Sequence, residues 1–394
     1  MNYQLYGDGI HDDTPAIQEM IDNAKHELRL PMPEAWYLIS KPLELPSDFL
    51  LELPRYAEIR LAKDSNCVML RNKTLPEERR EKKPGDFWSV LNDWSADEPF
   101  KNIEVRGGVW NFNNLEQAPN PIYTGKMEPE GYTGFGMLFY NVKNLRISSM
   151  TLKDPVNFAV TLDTVSYFTV DNIVFDFNYG NPLATNMDGI HLNGNCHFGR
   201  ITNLQGACYD DLVALNADEG TAGPITDVTI DGIFSEDCHS AVRLLSANCP
   251  VKNVHITNVH GTYFQYCIGI TKFYESKDKG SFDGITIDNV YASKAVRIPV
   301  YAKPEGSYVY PLIYIQENLR IRGLRISDLH RREEINPIST IFVGKNTEIE
   351  QLTLTNITTE NHTGSAEMPF FDNNGEVKYL KAEMLFADGE PVEI

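Results

Sequence analysis

Three aspartates in the middle of the chain have the type and spacing that best suit chemistry. Asp188 precedes the apolar run 189–192, and Asp210 and Asp211 precede the apolar run 212–215. Carboxyl groups that meet at the starts of neighbouring strands can act as general acid and general base in the hydrolysis of an acetal. Whether these three can do so depends on the elements that position them.

Composition and charge limit the classes of partner. The chain has 394 residues, of which 42% are hydrophobic and 23% are charged, as in soluble globular proteins. Its net charge of −20 repels phosphates, so we expect no nucleic-acid partner. A strongly polyanionic substrate would need a local basic pocket. No run of about eighteen apolar residues occurs, so we expect no membrane partner.

The N-terminus and the cysteines bear on location. The chain opens MNYQLYGDGIHDDT, without the apolar region of a signal peptide. We therefore expect a cytoplasmic protein, or a secreted one if a signal peptide has been removed. The 6 cysteines lack CxxC spacing, and no histidine spacing completes a zinc site. We expect buried thiols and no metal or cofactor, since disulfides would require export.

Near the N-terminus a single helix is predicted. Thr14 is the predicted N-cap, with Pro15 at the first helical position. Apolar residues then recur at helical spacing on one face: Ile17, Met20, Ile21 and Ala24. After this helix, residues 28–70 alternate short apolar runs with turns and are predicted to form strands.

Beyond residue 100 a four-residue unit recurs. Its order is aliphatic, polar, Asn/Gly/Asp/Ser, aliphatic, at intervals of 23–31 residues with one of 39. The third position favours residues that tolerate a left-handed backbone, as a recurring tight bend requires. Units begin at Ile147, Val170, Ile201, Ile230, Ile256, Ile287, Ile326 and Leu354, with a looser early copy at Val105.

The repeat predicts the fold class. Strands this short, without helices between them, cannot form βαβ units, but coils of them can stack into one continuous core. We therefore predict an all-β, single-stranded right-handed parallel β-helix (solenoid) whose open end is capped by the N-terminal helix. A β-propeller is the alternative, but its blade period of about 40–45 residues is too long.

One domain, 1–394, is predicted. It comprises an N-terminal strand and capping helix (1–30), a long loop insertion (72–100), main coils (102–360) and a C-terminal cap (361–394). The insertion is charged and contains Trp88 and Trp94, which is consistent with either a solvated loop or a lid over a substrate groove.

Aligning the repeats predicts which side chains stack. Adjacent coils should be about 4.8 Å apart, and two carboxylates at that distance cannot both ionise cheaply, which suits proton chemistry. The alternatives are turn-capping aspartates, a hydrogen-bonding His239 and an Arg243 that pairs with an acid. The predicted columns are Asp188 with Asp211 and Ser240, Asp210 with His239, and His191 with Arg243 and Gly269.

The same residues resemble a known enzyme family. Residues 186–189 (Asn-Met-Asp-Gly) resemble the Asn-Thr-Asp motif of glycoside hydrolase family 28, the polygalacturonase family. Residues 209–212 are similar to its Gly-Asp-Asp-Cys motif, 238–240 lie where it has Gly-His-Gly, and 270–272 where it has Arg-x-Lys. The opening, 7–18, looks like the start of many pectin-active β-helix proteins of the pectin-lyase-like superfamily.

The resemblance implies an inverting hydrolase. Asp210 would be the general acid, and Asp188 and Asp211 would hold and deprotonate the attacking water. Acid and base carboxyl groups in such enzymes lie roughly 6.5–9.5 Å apart. His239 would support the acid or bind sugar, and Lys272 would contact the sugar next to the cleaved bond. The predicted substrate-binding residues are His239, Arg243, Lys272, His191 and Asn186.

One departure from the family concerns the substrate. Ile270 stands where the family has the arginine that, with the lysine, is associated with the galacturonate carboxylate. Either Arg243 supplies the missing charge or the sugar is neutral. An intracellular enzyme would meet oligosaccharides, which favours exo action on pectin-type or related glycans. Loops 72–100, 113–136 and 273–281 are the expected walls of the site.

Two other functions use the same fold. A polysaccharide lyase would bind Ca²⁺ on the acids and abstract a proton beside a uronate carboxylate with an Arg or Lys base. A non-catalytic carbohydrate-binding β-helix would bind glycans without turnover. The partner in every case is an oligosaccharide or polysaccharide, and the sequence does not indicate an oligomeric state.

Overall fold

The computed structural model describes residues 4–73, 98–129, 131–295 and 310–394. The predicted insertion 72–100 lies almost wholly outside these ranges, as do its two tryptophans. The chain forms two compact units. The first comprises Met1–Gly199 with Glu219–Ala222, and the second comprises Arg200–Asp218 with Gly223–Ile394.

The first unit is built of stacked parallel strands. Three stacks run through it: β1-β4-β7-β10-β12, β2-β5-β8-β10 and β3-β6-β9-β11-β13. The elements are α1 (Thr14–Asn23), β1 (Glu27–Arg29), β2 (Tyr37–Ile39), β3 (Leu43–Leu45), β4 (Phe49–Glu52), β5 (Glu58–Leu61), β6 (Leu70–Asn72), β7 (Phe100–Arg106), β8 (Val109–Asn111), a 3₁₀ turn (Asn114–Glu116), α2 (Pro121–Thr124), β9 (Met137–Tyr140), β10 (Val142–Lys153), β11 (Val160–Asp163), β12 (Ser166–Asp176) and β13 (Ile190–Leu192).

The second unit has the same architecture. Long strands stack as β16-β18-β20-β22-β24-β26, and short strands stack as β15-β17-β19-β21-β23-β25. The strands are β14 (His197–Ala207, from Arg200 on), β15 (Asp211–Asn216), β16 (Ile225–Cys238), β17 (Ser240–Leu245), β18 (Val251–Tyr263), β19 (Ile268–Thr271), β20 (Gly280–Lys294), β21 (Ile313–Ile315), β22 (Leu319–Glu333), β23 (Ile341–Val343), β24 (Glu348–Asn361), β25 (Phe371–Asn373), β26 (Glu376–Ala387) and β27 (Glu390–Pro391).

These coils confirm the predicted right-handed parallel β-helix, and the repeat explains their register. Along the second compact unit, the first residues of successive four-residue repeats are Cα partners, from Ile230 through Ile256, Ile287 and Ile326 to Leu354. All five are fully buried. The backbone at the third residue of every predicted four-residue repeat is left-handed, with φ between 51° and 84°. These residues are Ser149, Asn172, Asn203, Gly232, Asn258, Asn289, Asp328 and Asn356.

Helix α1 differs from the prediction at its start. Its N-cap is Asp13 and not Thr14, which is the first helical residue. Thr14 cannot serve as the cap because its hydroxyl donates to Asp12 and accepts the Ser40 N–H. The Asp13 carboxylate instead accepts the N–H groups of the opening loop.

The helix packs its apolar face on the first coils, as predicted. Ile17 and Ile21 are fully buried. Gln18 exchanges two hydrogen bonds with the backbone of Glu44 in β3, at 2.8 and 3.2 Å.

Two further findings concern the cysteines and membrane-crossing helices. The six cysteines are reduced thiols, four of them buried and Cys67 and Cys249 partly exposed. Within the described ranges, no helix combines the length and apolarity that crossing a bilayer requires.

Candidate active site

In the first unit, Asp188 is held by a histidine. It lies just before β13, and its Oδ2 is 2.6 Å from the Nδ1 of His191, which is on the strand. The other ring nitrogen, Nε2, lies 3.0 Å from Oε2 of Glu219 and 3.1 Å from Oδ1 of Asn193. Since both ring nitrogens face oxygen acceptors, the arrangement suits the doubly protonated imidazolium.

The surroundings of His191 keep this charge despite its burial. Burial disfavours the imidazolium, but the neighbouring carboxylates of Asp188 and Glu219 raise the pKa of His191 to about 9. Phe158 stacks on the ring with centroids 3.8 Å apart and planes 9° apart, and Phe135 stacks on Phe158 at 5.0 Å. Stacking an aromatic face on the cation adds to the attraction.

Asn193 is oriented by a second buried acid. Its amide nitrogen donates to Oδ2 of Asp163 at 3.0 Å, so its oxygen faces His191. Burial raises the pKa of Asp163, although the backbone and side chain of Thr221 oppose this. Asn186, the remaining predicted residue of this unit, has a left-handed φ of 54° and donates to Asn157 at 2.8 Å. It therefore shapes the loop that carries Asp188.

In the second unit, Asp211 ends a chain of hydrogen bonds from His239. Strand pairing sets Asp211 opposite Ser240, as predicted. The Ser240 hydroxyl donates to Oδ1 of Asp211 at 2.7 Å, and Nδ1 of His239 lies 2.8 Å from the same hydroxyl. Because the hydroxyl proton points to the carboxylate, Nδ1 of His239 must be the donor to Ser240. That leaves Nε2 as an acceptor.

Two further donors face Asp211. Nη1 of Arg243 is 3.4 Å from its Oδ2, and the hydroxyl of Tyr266 is 3.4 Å from its Oδ1. Arg243 also donates through Nε to Thr271 at 3.2 Å. With its side chain only 1% exposed, Asp211 thus faces three donors, an arrangement that suits a buried carboxylate.

Asp210 has different surroundings, although it is the next residue. Its side chain is 20% exposed, and its Oδ1 lies 3.6 Å from Nδ1 of His239. Burial, together with the positive charge of Arg243, lowers the pKa of His239 to about 3, so this histidine is neutral near pH 7. One carboxylate is therefore buried among donors and the other is partly solvated.

These groups could also hold a metal ion. Ligand atoms of Asp210, Asp211 and His239 all lie within 4.8 Å of one another. Two carboxylates and a neutral imidazole nitrogen are ligands that divalent cations accept. The cluster therefore suits either proton transfer or cation binding.

Lys272 and Ile270 occupy different environments. Ile270, where the related motif has arginine, is fully buried between Leu244 and Ile315. Lys272 lies just after β19, where its Nζ donates to the Ser276 carbonyl at 2.8 Å. It lines a depression of about 600 Å³ together with the loop that follows it. Lys272 is thus engaged by its own loop, within reach of a ligand in that depression.

Two of the predicted strand pairings lie within the second compact unit and can be checked there. Pairing of Asp211 with Ser240 and of Arg243 with Gly269 is confirmed. Stacking of Asp188 above Asp211 joins residues of different units and stays a prediction. Sequence reasoning missed two residues, Glu219 and Tyr266. The Asp218-Glu219 pair after β15 was an available signal for the former, whereas Tyr266 is placed only by the space above Gly269.

Comparison with known proteins identifies the fold. The sequence matches no family model and no curated protein. Among solved structures, the adhesin PfbA of Streptococcus pneumoniae has TM-score 0.59 and 14% identity, covering 100% of this chain and 92% of that one. Endo-xylogalacturonan hydrolase from Aspergillus tubingensis has TM-score 0.61 and 14% identity, covering 95% and 98%.

A third similar structure is the family 28 exopolygalacturonase of Yersinia enterocolitica. It has TM-score 0.55 and 14% identity, covering 99% of this chain and 78% of that one. At these identities the likeness establishes a shared parallel β-helix and no more, since one fold hosts many functions. Function must therefore be inferred from the side chains of the site.

Proposed function

We propose that this protein is a glycoside hydrolase of the polygalacturonase type, acting by inverting acid/base catalysis. The observation that carries the proposal is the contrast between Asp210 and Asp211. Adjacent carboxyl groups in different environments can hold different protonation states, which is what an acid and a base require. The resemblance of four short stretches to motifs of glycoside hydrolase family 28 supports the same assignment.

Each residue then has a role. Asp210, partly solvated and beside neutral His239, donates its proton to the leaving glycosidic oxygen as the glycosidic bond breaks. Asp211, facing the donors Ser240, Arg243 and Tyr266, holds the attacking water and takes up its proton. The water oxygen forms the new bond on the opposite face of the sugar carbon, so the configuration inverts.

The short distance between the two acids implies a second base. Their nearest ligand oxygens lie within 4.8 Å, whereas acid and base carboxyl groups of inverting enzymes are about 6.5–9.5 Å apart. We infer that a second carboxylate takes part in activating the water. Asp188 is the residue that the resemblance of its motif assigns to that role, and His191 holds its carboxylate in place through the 2.6 Å contact.

The proposed substrates are pectin-type or related oligosaccharides, cleaved from a chain end. Two of the similar structures are, by name, an exopolygalacturonase and an endo-xylogalacturonan hydrolase. These names support the proposed substrate class. Exo action is proposed on the likeness to the exopolygalacturonase.

A screen of pectic and related oligosaccharides with NMR detection of the product anomer tests the proposal. Inverted, saturated reducing sugars are expected, and Asp210→Asn should lower kcat by about 10²–10⁴-fold. Unsaturated products would show a lyase instead, a function favoured only by the cation-binding geometry of the acid cluster. Binding without turnover would show a carbohydrate-binding module, as the similarity to an adhesin allows.

A further inference from the structure

A row of outward-facing side chains leads away from the acid cluster across the second unit. In β21 and β23 the middle residue is partly exposed between two buried ones, so Tyr314 and Phe342 face outward. Adjacent coils are spaced by about 4.8 Å, close to the length of one pyranose unit in an extended glycan. Successive Cα partners in the row are Arg243, Gly269, Tyr314, Phe342 and Asp372.

At Gly269 the row is filled by a neighbouring ring. A Cβ at this position would lie 2.5 Å from the ring of Tyr266, so only glycine leaves room for it. Tyr266 stacks on Tyr314 with centroids 5.9 Å apart and planes 17° apart. Tyr314 stacks in turn on Phe342, at 5.8 Å and 18°. These three rings, here called the aromatic track, begin where the Tyr266 hydroxyl meets Asp211.

The far part of the aromatic track forms the floor of a depression of about 500 Å³. Tyr310 forms one wall, its ring 4.9 Å from that of Tyr314 and inclined by 72°. Binding sites for small ligands typically have volumes of about 300–1,000 Å³ and combine an aromatic lining with a few polar groups. Sugars suit such a surface, because their C–H faces stack on rings while their hydroxyls reach the polar rim.

Charge at the rim disfavours acidic sugars. Among the described residues, the charged side chains that line the depression are Glu317, Asp372 and Lys345. The net charge of the chain, −20, acts in the same direction. Arg243, the cation at the start of the row, is already engaged by Asp211 and Thr271. A uronate carboxylate on the aromatic track would therefore be repelled, whereas sugar hydroxyls can donate to both carboxylates.

We propose that Tyr314 and Phe342, the partly exposed rings of the aromatic track, bind neutral pyranose units of the substrate. Tyr266 is only 3% exposed and supports Tyr314 by stacking on it. The substrate is then a glycan with neutral sugars on this side, and not homogalacturonan. This inference builds on the proposed hydrolase, but binding to the aromatic track can be measured without turnover.

The test measures binding by calorimetry to the Asp210→Asn protein, which should bind without cleaving. The probes are neutral tetrasaccharides of galactose and of xylose, with tetragalacturonate as the acidic counterpart. At least one neutral probe should bind roughly tenfold more tightly than tetragalacturonate. Adding Phe342→Leu, which keeps apolar volume but removes the ring, should weaken that binding roughly tenfold.

A matched control and a charge variant sharpen the test. Tyr291→Leu removes another outward ring of this unit, 46% exposed on β20, and should leave binding unchanged. Adding Glu317→Gln and Asp372→Asn should strengthen tetragalacturonate binding several-fold and make it less dependent on salt. Circular dichroism of each variant checks that the strands are intact.

The outcomes separate the two proposals. Tighter binding of tetragalacturonate, no binding of any probe, or equal loss in the Phe342 and Tyr291 variants would overturn the neutral-sugar inference, whether or not the parent protein hydrolyses glycans. If neutral probes bind through Phe342 but the parent protein cleaves none of them, the aromatic track stands and the hydrolase proposal fails.

Discussion

Removing the Glu219 carboxylate should lower the pKa of His191. In the variant Glu219→Gln, the imidazolium loses the oxygen that lies 3.0 Å from its Nε2, while the 2.6 Å contact of Nδ1 with Asp188 remains. The side chains of His191 and Glu219 are buried, with exposed fractions of 0% and 6%, so water cannot replace the lost charge. The substitution changes charge but hardly changes volume.

The size of the expected pKa decrease follows from how far the fold raises the pKa of His191. The pKa of His191 is raised from 6.5 to about 9 against the opposing effect of burial. At about 1.4 kcal/mol per pH unit, this difference corresponds to about 3 kcal/mol of stabilisation by the imidazolium. One opposite charge at this range contributes about one to three pH units. We therefore expect the pKa of His191 to fall by about one to two pH units in Glu219→Gln.

The pH dependence has a definite sign. Because the pKa is raised on folding, the stabilisation is complete below about pH 6.5 and is lost as the pH rises through about 9. In Glu219→Gln the loss should still begin near pH 6.5, which the unfolded state sets, but it should be smaller and should finish at a lower pH. If the Asp188 carboxylate depends on this imidazolium, the alkaline limb of kcat/KM should shift in the same direction.

NMR titration of histidine labelled at Cε1 measures the pKa, with the resonance assigned from the variant His191→Gln. The matched control is Glu360→Gln beside His362, an exposed pair at 3.1 Å with exposed fractions of 51% and 47%. This substitution also removes a carboxylate beside a histidine, and it should leave the titration of His191 unchanged. A pKa for His191 that stays near 9 in Glu219→Gln would refute the reasoning.

Other perturbations test the rest of the site. Ser240→Ala breaks the hydrogen-bond chain to Asp211, so steady-state kinetics should show kcat reduced tenfold or more with little change in KM; an unchanged kcat would contradict the role. Gly269→Ala sets a methyl group 2.5 Å from the Tyr266 ring, so KM should rise through displacement of the aromatic track. Arg331→Met removes the guanidinium that pairs with the fully buried Glu333 and should cost about 3–5 kcal/mol in urea unfolding, a loss that would not occur if the pair were incidental. Chelation with EDTA should leave hydrolysis unchanged, whereas a calcium requirement would favour the lyase.

The sequence was sufficient for the coil architecture because its signals are local. Each aliphatic residue of the repeat must face the core, and the third residue must bend the backbone. Asn258 and Asn289, for example, are left-handed with φ of 57° and 51°. The start of α1 was wrong for a related reason. Thr14 is a good N-cap in isolation, but contacts with Asp12 and Ser40 occupy its hydroxyl.

For the site, the sequence determined which residues carry chemistry and, where coil lengths match, which ones stack. Asp211 opposite Ser240 follows from counting between two repeats. Only the tertiary structure decided that Glu219 completes the pair of acids around His191, and that Tyr266 fills the space above Gly269. The physical reason is that repeat register is set by strand pairing, residue by residue. The loops between coils vary in length, and the positions of their side chains are decided by the packing they meet.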